Sequence, residues 1–160
     1  MQVLVLYYSR TGNTKRLAEA VAEGARGVEG CEVLLRTPAT VTRDEFRASH
    51  AVVVGSPVYF GGMAAELKKV LDEFVVVRQH MEGKVGGAFA TSAHPSGGKE
   101  TTLLAIHQVL LIYGMVVVGD PLDAGGHYGV ACAGAPDAAT LEAGRKLGAR
   151  VARIAHALLG

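Results

Sequence analysis

Between Tyr8 and Lys15 the chain reads Ser9-Arg10-Thr11-Gly12-Asn13-Thr14. The side chains of Ser9, Thr11, Asn13 and Thr14 all carry hydrogen-bond donors, and Gly12 allows positive φ or close backbone approach. An ordinary helix cap needs one such residue, so this set is richer than capping requires. Donors gathered where a strand hands over to a helix suit a phosphate. The first helical N–H groups and the positive end of the helix dipole point at the same place. Arg10 adds a cation at the tip of the turn.

Two further stretches carry residue types with chemical reach. Gly55–Met63 reads GSPVYFGGM, with rigid Pro57, adjacent aromatics Tyr59 and Phe60, and the pair Gly61-Gly62. Aromatic side chains make up only 6% of the chain, so two side by side in a loop suggest a face for a large planar ligand. Ala90–Glu100 reads ATSAHPSGGKE, whose Ser, Gly and backbone amides could border the polar edge of such a ring. His94 within it is a candidate for proton chemistry. Other phosphate motifs fail. GxGxxG is absent, and in GGKET, Gly97–Thr101, a Walker-type loop would need glycine at Ala93 and Ser or Thr at Glu100.

These loops need elements to aim them. Val-rich, nearly continuous apolar runs predict strands at Gln2–Tyr8, Cys31–Arg36, Ala51–Gly55, Val85–Thr91 and Met115–Gly119. Helical spacing predicts helices at Asn13–Arg26, Met63–Arg78, Lys99–Tyr113 and Thr140–Leu159. A short one is expected around Asp44–Ala48, and Asp137 stands as a cap before the last. Strands alternating with helices predict an α/β fold, a doubly wound five-stranded parallel sheet with helices on both faces, and residues 1–160 read as one domain. Ligands of such sheets sit at the carboxyl ends of the strands, where the strand order reverses. The three unusual loops follow the first, third and fourth predicted strands.

Composition narrows the classes. Acidic and basic residues are interleaved at a net charge of +1, which builds no field for nucleic acid or anionic membrane. No run approaches the roughly 20 apolar residues of a membrane span, and the N-terminus enters a strand without a signal-like segment, so a cytoplasmic protein is expected. Cys31 and Cys132 form no CxxC and read as reduced structural thiols. The six histidines show no ligand-like pairing, so no metal is expected. Charged residues at 19% and a mean hydropathy of +0.26 hint at surface buried between subunits.

With all three loops in view, the chain resembles the flavodoxin-like FMN proteins, and most of all the WrbA-type NAD(P)H:quinone oxidoreductases. SRTGNT is similar to the flavodoxin phosphate loop, and GSPVYFGGMAAELKKVLDE and ATSAHPSGGKETTL resemble the WrbA segments around the flavin ring. YGMVVVG and GGHYGVACAG follow in the expected order. The chain departs from that pattern at Gly62 and at His94-Pro95-Ser96, and it has no tryptophan. The resemblance implies an FMN protein that takes hydride from NADH or NADPH and passes two electrons to a quinone. It also implies a homo-oligomer, dimer or tetramer, whose neighbouring subunits help wall each flavin. Position by position, it implies that Ser9, Arg10, Thr11, Gly12, Asn13 and Thr14 cradle the phosphate. Pro57, Val58, Tyr59, Phe60 and Gly61 would run along the isoalloxazine, and Ser92, Ala93, His94, Pro95, Ser96 and Gly97 would line its other edge. Tyr113 occupies the place where that family often has a histidine near the flavin.

The flavin would carry the electron chemistry, so no nucleophile or metal is required of the protein. One alternative is an electron-carrying flavodoxin without a small-molecule substrate. Such carriers are typically acidic, which a net charge of +1 does not match. The other is a flavin-free member of the same fold. Its phospho-acceptor version needs aspartates at the end of the first strand, where this chain has Tyr7-Tyr8-Ser9.

Overall fold

The computed structural model describes residues 1–160. The chain alternates strand and helix: β1 (Gln2–Tyr7), α1 (Asn13–Arg26), β2 (Glu32–Arg36), α2 (Arg43–Ala48), β3 (Ala51–Tyr59), β4 (Gly62–Met63) and α3 (Ala65–Glu73). A 3-10 turn (Phe74–His80) leads to β5 (Val85–Ser92), α4 (Lys99–Ile112), β6 (Val116–Val117), β7 (Val130–Ala133) and α5 (Ala138–Leu159). No helix is long and apolar enough to cross a membrane.

The main sheet runs β2-β1-β3-β5-β6, all parallel. Because strand side chains alternate, Val3, Val5 and Val53 pack on one face against Leu17 and Val21 of α1 and Leu147 and Val151 of α5. Leu4, Leu6, Val52 and Val54 pack on the other against Leu67 and Leu71 of α3 and Leu103, Ile106 and Leu110 of α4. Burial on both faces is why these strands read as continuous apolar runs. After β1 the chain turns to β2 on one side, then crosses to β3 on the other. The strand order therefore reverses between β1 and β3.

The predicted strands and helices are present, with four instructive differences. The third strand continues past Gly55 to Tyr59, so Ser56 and Pro57 lie in the ladder beside Ala90 and Thr91 instead of in a loop. The predicted helix over 63–78 stops at Glu73. The Val75–Val77 run of β-branched side chains continues it only as a 3-10 turn. The fifth strand position is split. β6 pairs with Val85–Gly86, the chain leaves the edge for the 118–129 excursion, and β7 returns to pair with Phe89–Ser92. Asp120 holds that excursion, its carboxylate accepting from the N–H groups of Gly126, His127 and Gly129 at 2.8–3.1 Å. Finally, α5 begins at Ala138, and Asp137 caps it as expected by accepting from Thr140 N at 2.8 Å.

Helices α1 and α5 meet backbone to backbone. A Cβ placed on Gly148 would land on the carbonyl oxygen of Val21, and one on Gly24 would land on that of Arg145. Replacing Gly148 with Ala therefore forces the pair apart. The expected loss is about 2–3 kcal/mol, a fall in Tm of roughly 5–10 °C by thermal denaturation.

Candidate functional site

The ends of β1, β3 and β5 bring the three loops into one cluster, and buried contacts tie them to each other. Thr14 in the first turn of α1 shares a hydrogen bond of 2.8 Å with Thr91 near the end of β5, hydroxyl to hydroxyl, and both residues are buried. The second and third loops touch where Gly98 approaches Gly61. A Cβ on Gly98 would sit 3.0 Å from the Gly61 Cα, and the Thr101 hydroxyl donates to the Gly61 carbonyl at 3.3 Å. Ser56 braces the second loop from beneath, accepting from Ala64 N at 2.9 Å and donating to the Pro57 carbonyl at 2.7 Å.

At the first loop the sequence places glycine where α2 and α5 have a capping side chain, as it does again at Gly98 before α4. Helices α2 and α5 are capped by the side chains of Thr42 and Asp137, but α1 starts at Gly12, in the left-handed region at φ 97°, with no side-chain cap. The first helical bond runs from Arg16 N to Gly12 O, so the N–H groups of Asn13, Thr14 and Lys15 have no acceptor in the chain. Ser9 shapes the turn, its hydroxyl accepting from Gly12 N at 3.1 Å. Three convergent free amides at the positive end of a helix fit a phosphate. Arg10 and Thr11 are exposed beside them, and Arg10 makes no ion pair or hydrogen bond within the chain.

At the second loop, Tyr59 meets Tyr8 edge to face at 6.4 Å between ring centroids. The Glu66 carboxylate within reach of the Tyr8 hydroxyl, helped by burial, pushes that phenol above its ordinary range. Phe60 is fully exposed at φ 49°, the only non-glycine residue with positive φ. An exposed ring on a left-handed backbone costs free energy twice, which marks a position shaped by something other than folding. Pro57 and Val58 are half-buried, Val58 against the core, and Gly61 follows at φ 79°.

The third loop is stiffened from inside. Ser92 is buried and donates to the His94 carbonyl at 2.7 Å, and Gly97 N donates to the same oxygen at 2.9 Å. The His94 ring is exposed, and its Nδ1 accepts from Ser96 N at 3.1 Å, so the neutral ring carries its hydrogen on Nε2. Lys99 donates to the Pro95 carbonyl at 2.9 Å. Ala93, Pro95 and Ser96 are exposed and Gly97 is half-buried.

Three expectations change. Thr14 offers its backbone N–H to the loop, but its hydroxyl is turned to Thr91. Ser92 spends its hydroxyl on shaping the loop instead of bordering a ligand. Tyr113 is not at the cluster at all, because α4 runs about 20 Å from the third loop to the opposite end of the sheet. There Tyr113 packs against Phe46 and donates to the Leu71 carbonyl; burial, then the Asp72 carboxylate, pushes its phenol up to about 12. Sequence reasoning also missed Thr91, Thr101 and Ser56, whose roles depend on how segments distant in sequence meet.

Residues 1–127 match the model of a family described as NADPH-dependent FMN reductase. The chain belongs to that family. It is 36% identical to an NAD(P)H dehydrogenase (quinone) of Archaeoglobus fulgidus over an alignment of 188 positions, covering 98% of each chain. Among solved structures it is similar to a flavodoxin, WrbA-like protein from Agrobacterium tumefaciens, with a TM-score of 0.84, 29% identity and 98% of each chain covered. It is also similar to a flavodoxin from the domain Archaea, with a TM-score of 0.83 and 28% identity over 98% of this chain and 99% of that one. A flavodoxin-like fold in this reductase family fits the donor set of the first loop and the aromatic second loop.

The buried hydroxyl pair makes a test of how the loops are held. Thr14→Val or Thr91→Val alone leaves one buried hydroxyl unpaired and should cost about 1–2 kcal/mol in urea denaturation, whereas the double variant should cost less than either single one. Simple additivity of the two losses would show that the pair does not tie the loops.

Proposed function

We propose that this chain is an FMN-dependent oxidoreductase that takes electrons from NADH or NADPH and delivers two of them to a quinone. The observation that carries the reading is the uncapped start of α1, with three free amides beside Gly12, facing an aromatic loop at the strand-order switch. In this reading Ser9, Arg10, Thr11, Gly12, Asn13 and the Thr14 amide hold the flavin phosphate. The segment Pro57–Gly61 lies along the ring, and the segment Ala93–Gly97 borders its edge. Bound FMN supplies the hydride and electron exchange.

The chain's own tasks are to bind, orient and exclude. Thr14–Thr91 and Thr101–Gly61 keep the three loops at fixed separation before any ligand arrives, which reduces the ordering cost of binding. His94, its ring fixed by Ser96 N, presents an Nε2 hydrogen at the exposed rim, where it can hold a proton for an incoming carbonyl. Tyr59 supplies a flat apolar wall and Phe60 an aromatic edge exposed to solvent. The names of the curated relatives support nicotinamide and quinone as substrate classes, and the balanced charge supports small molecules over nucleic acid as partners. A cytoplasmic setting is part of the same proposal.

Visible absorption on the purified protein tests this. FMN should bind, bleach with NADH or NADPH under anaerobic conditions, and recover on adding a benzoquinone. Bound flavin indifferent to both nicotinamides would instead mark an electron carrier, and absence of FMN binding would overturn the proposal. Gly12→Ala should weaken FMN about tenfold, because an L side chain in the left-handed region costs roughly 1–2 kcal/mol, while riboflavin affinity stays the same. An equal loss for riboflavin would move the phosphate elsewhere.

A further inference from the structure

Away from the loops, the last helix holds charge that the chain leaves unanswered. From Ala143 to Gly160 the sequence carries Arg145, Lys146, Arg150 and Arg153 and no Asp or Glu, more positive charge than the net +1 of the whole protein. Arg145 is met locally, by Glu23 of α1 at 2.8 Å and Glu142 at 3.5 Å. Arg150 and Arg153 form no ion pair. Like charges at i, i+4 (Lys146 and Arg150) and i, i+3 (Arg150 and Arg153) oppose helix formation. The helix dipole does not account for them, because it favours cations within the last turn, where α5 has His156 alone.

These side chains share a cleft. Between the 118–129 excursion and α5, Pro121 and Asp123 join Lys146, Arg150, Arg153 and Ile154 around about 590 Å³. Asp123 is its one carboxylate, and it is spent on Lys146. The ammonium lies 2.9 Å from that carboxylate and donates to the Asp123 carbonyl at 3.0 Å. Arg150 is half-buried, which restricts its guanidinium, and its Nε is buried without an acceptor. Two open guanidinium groups balance a dianion, and each presents a planar fork of N–H donors that suits phosphate oxygens in pairs. The volume falls in the range of small-molecule sites, and Pro121 and Ile154 give it apolar walls. An extended polyanion would run from this cleft onto the rest of the chain, which is net acidic.

We propose that this cleft binds a small organic phosphate, its phosphoryl dianion held by Arg150 and Arg153 and its apolar part against Pro121 and Ile154. The cleft is separate from the cradle at Gly12. Arg150 stands about 18 Å along α5 from Ala138, and Gly148 just before it packs on Val21, well down α1 from Gly12. The proposal does not rest on flavin binding.

Isothermal titration calorimetry of the full chain with phenyl phosphate tests it, with circular dichroism to verify that each variant is folded. The probe should bind saturably, and Arg150→Gln or Arg153→Gln should each weaken it about tenfold. Arg145→Gln removes the same charge from a paired residue and should leave the affinity unchanged. Gly12→Ala should leave this arginine-dependent binding intact, which separates the cleft from the first loop. Inorganic phosphate should bind more weakly than phenyl phosphate, because it has no apolar part. No saturable binding up to about 10 mM, or an affinity unmoved by both Arg150→Gln and Arg153→Gln, would overturn the proposal. So would a loss with Arg145→Gln equal to that with Arg150→Gln, since net charge alone would then explain it. Inorganic phosphate binding as tightly as phenyl phosphate would overturn the organic part.

Discussion

A parallel sheet buried on both faces leaves a ligand no access except at the strand ends, and nearly everything else in this molecule follows from that constraint. Val3 to Leu6 and Val52 to Val54 are fully enclosed between α1 and α5 on one side and α3 and α4 on the other. Chemistry must therefore happen where β1, β3 and β5 stop. The reversal of strand order between β1 and β3 opens a gap there, because the two connections leave in opposite directions. The core thus selects the place of the site before any functional residue is considered.

Given that place, the loops trade local stability for reach. Thr42 and Asp137 cap α2 and α5 with their side chains, yet Gly12 leaves three amides of α1 unmet. Phe60 accepts a left-handed backbone and full exposure. These costs are offset beneath the surface, where Thr14–Thr91 and the two contacts of Ser56 hold the loop bases. Open donors above and satisfied hydroxyls below divide the labour between holding a ligand and holding shape.

That division also explains what could be read from sequence. SRTGNT was legible because both its donors and its strand-to-helix context are local, and the alternation of Val-rich strands with helical spacing was enough for the doubly wound sheet. The use of the Thr14 hydroxyl was not, since its partner lies 77 positions away and is selected by register. Tyr113 was misdirected by position in a resemblance, although its helical spacing from Leu103, Ile106 and Leu110 already put it on the inner face of α4. The strand Val130–Ala133 escaped because it is short, glycine-flanked and separated from β6 by an excursion that Asp120 closes through three backbone bonds.

The break between β6 and β7 has a protective side. An open parallel sheet ends in a row of unpaired backbone groups, which invites another chain to add itself as a further strand. Here that row comes in pieces of two and four residues, separated by the excursion between Val117 and Val130. Fibrous growth along this margin has no continuous template.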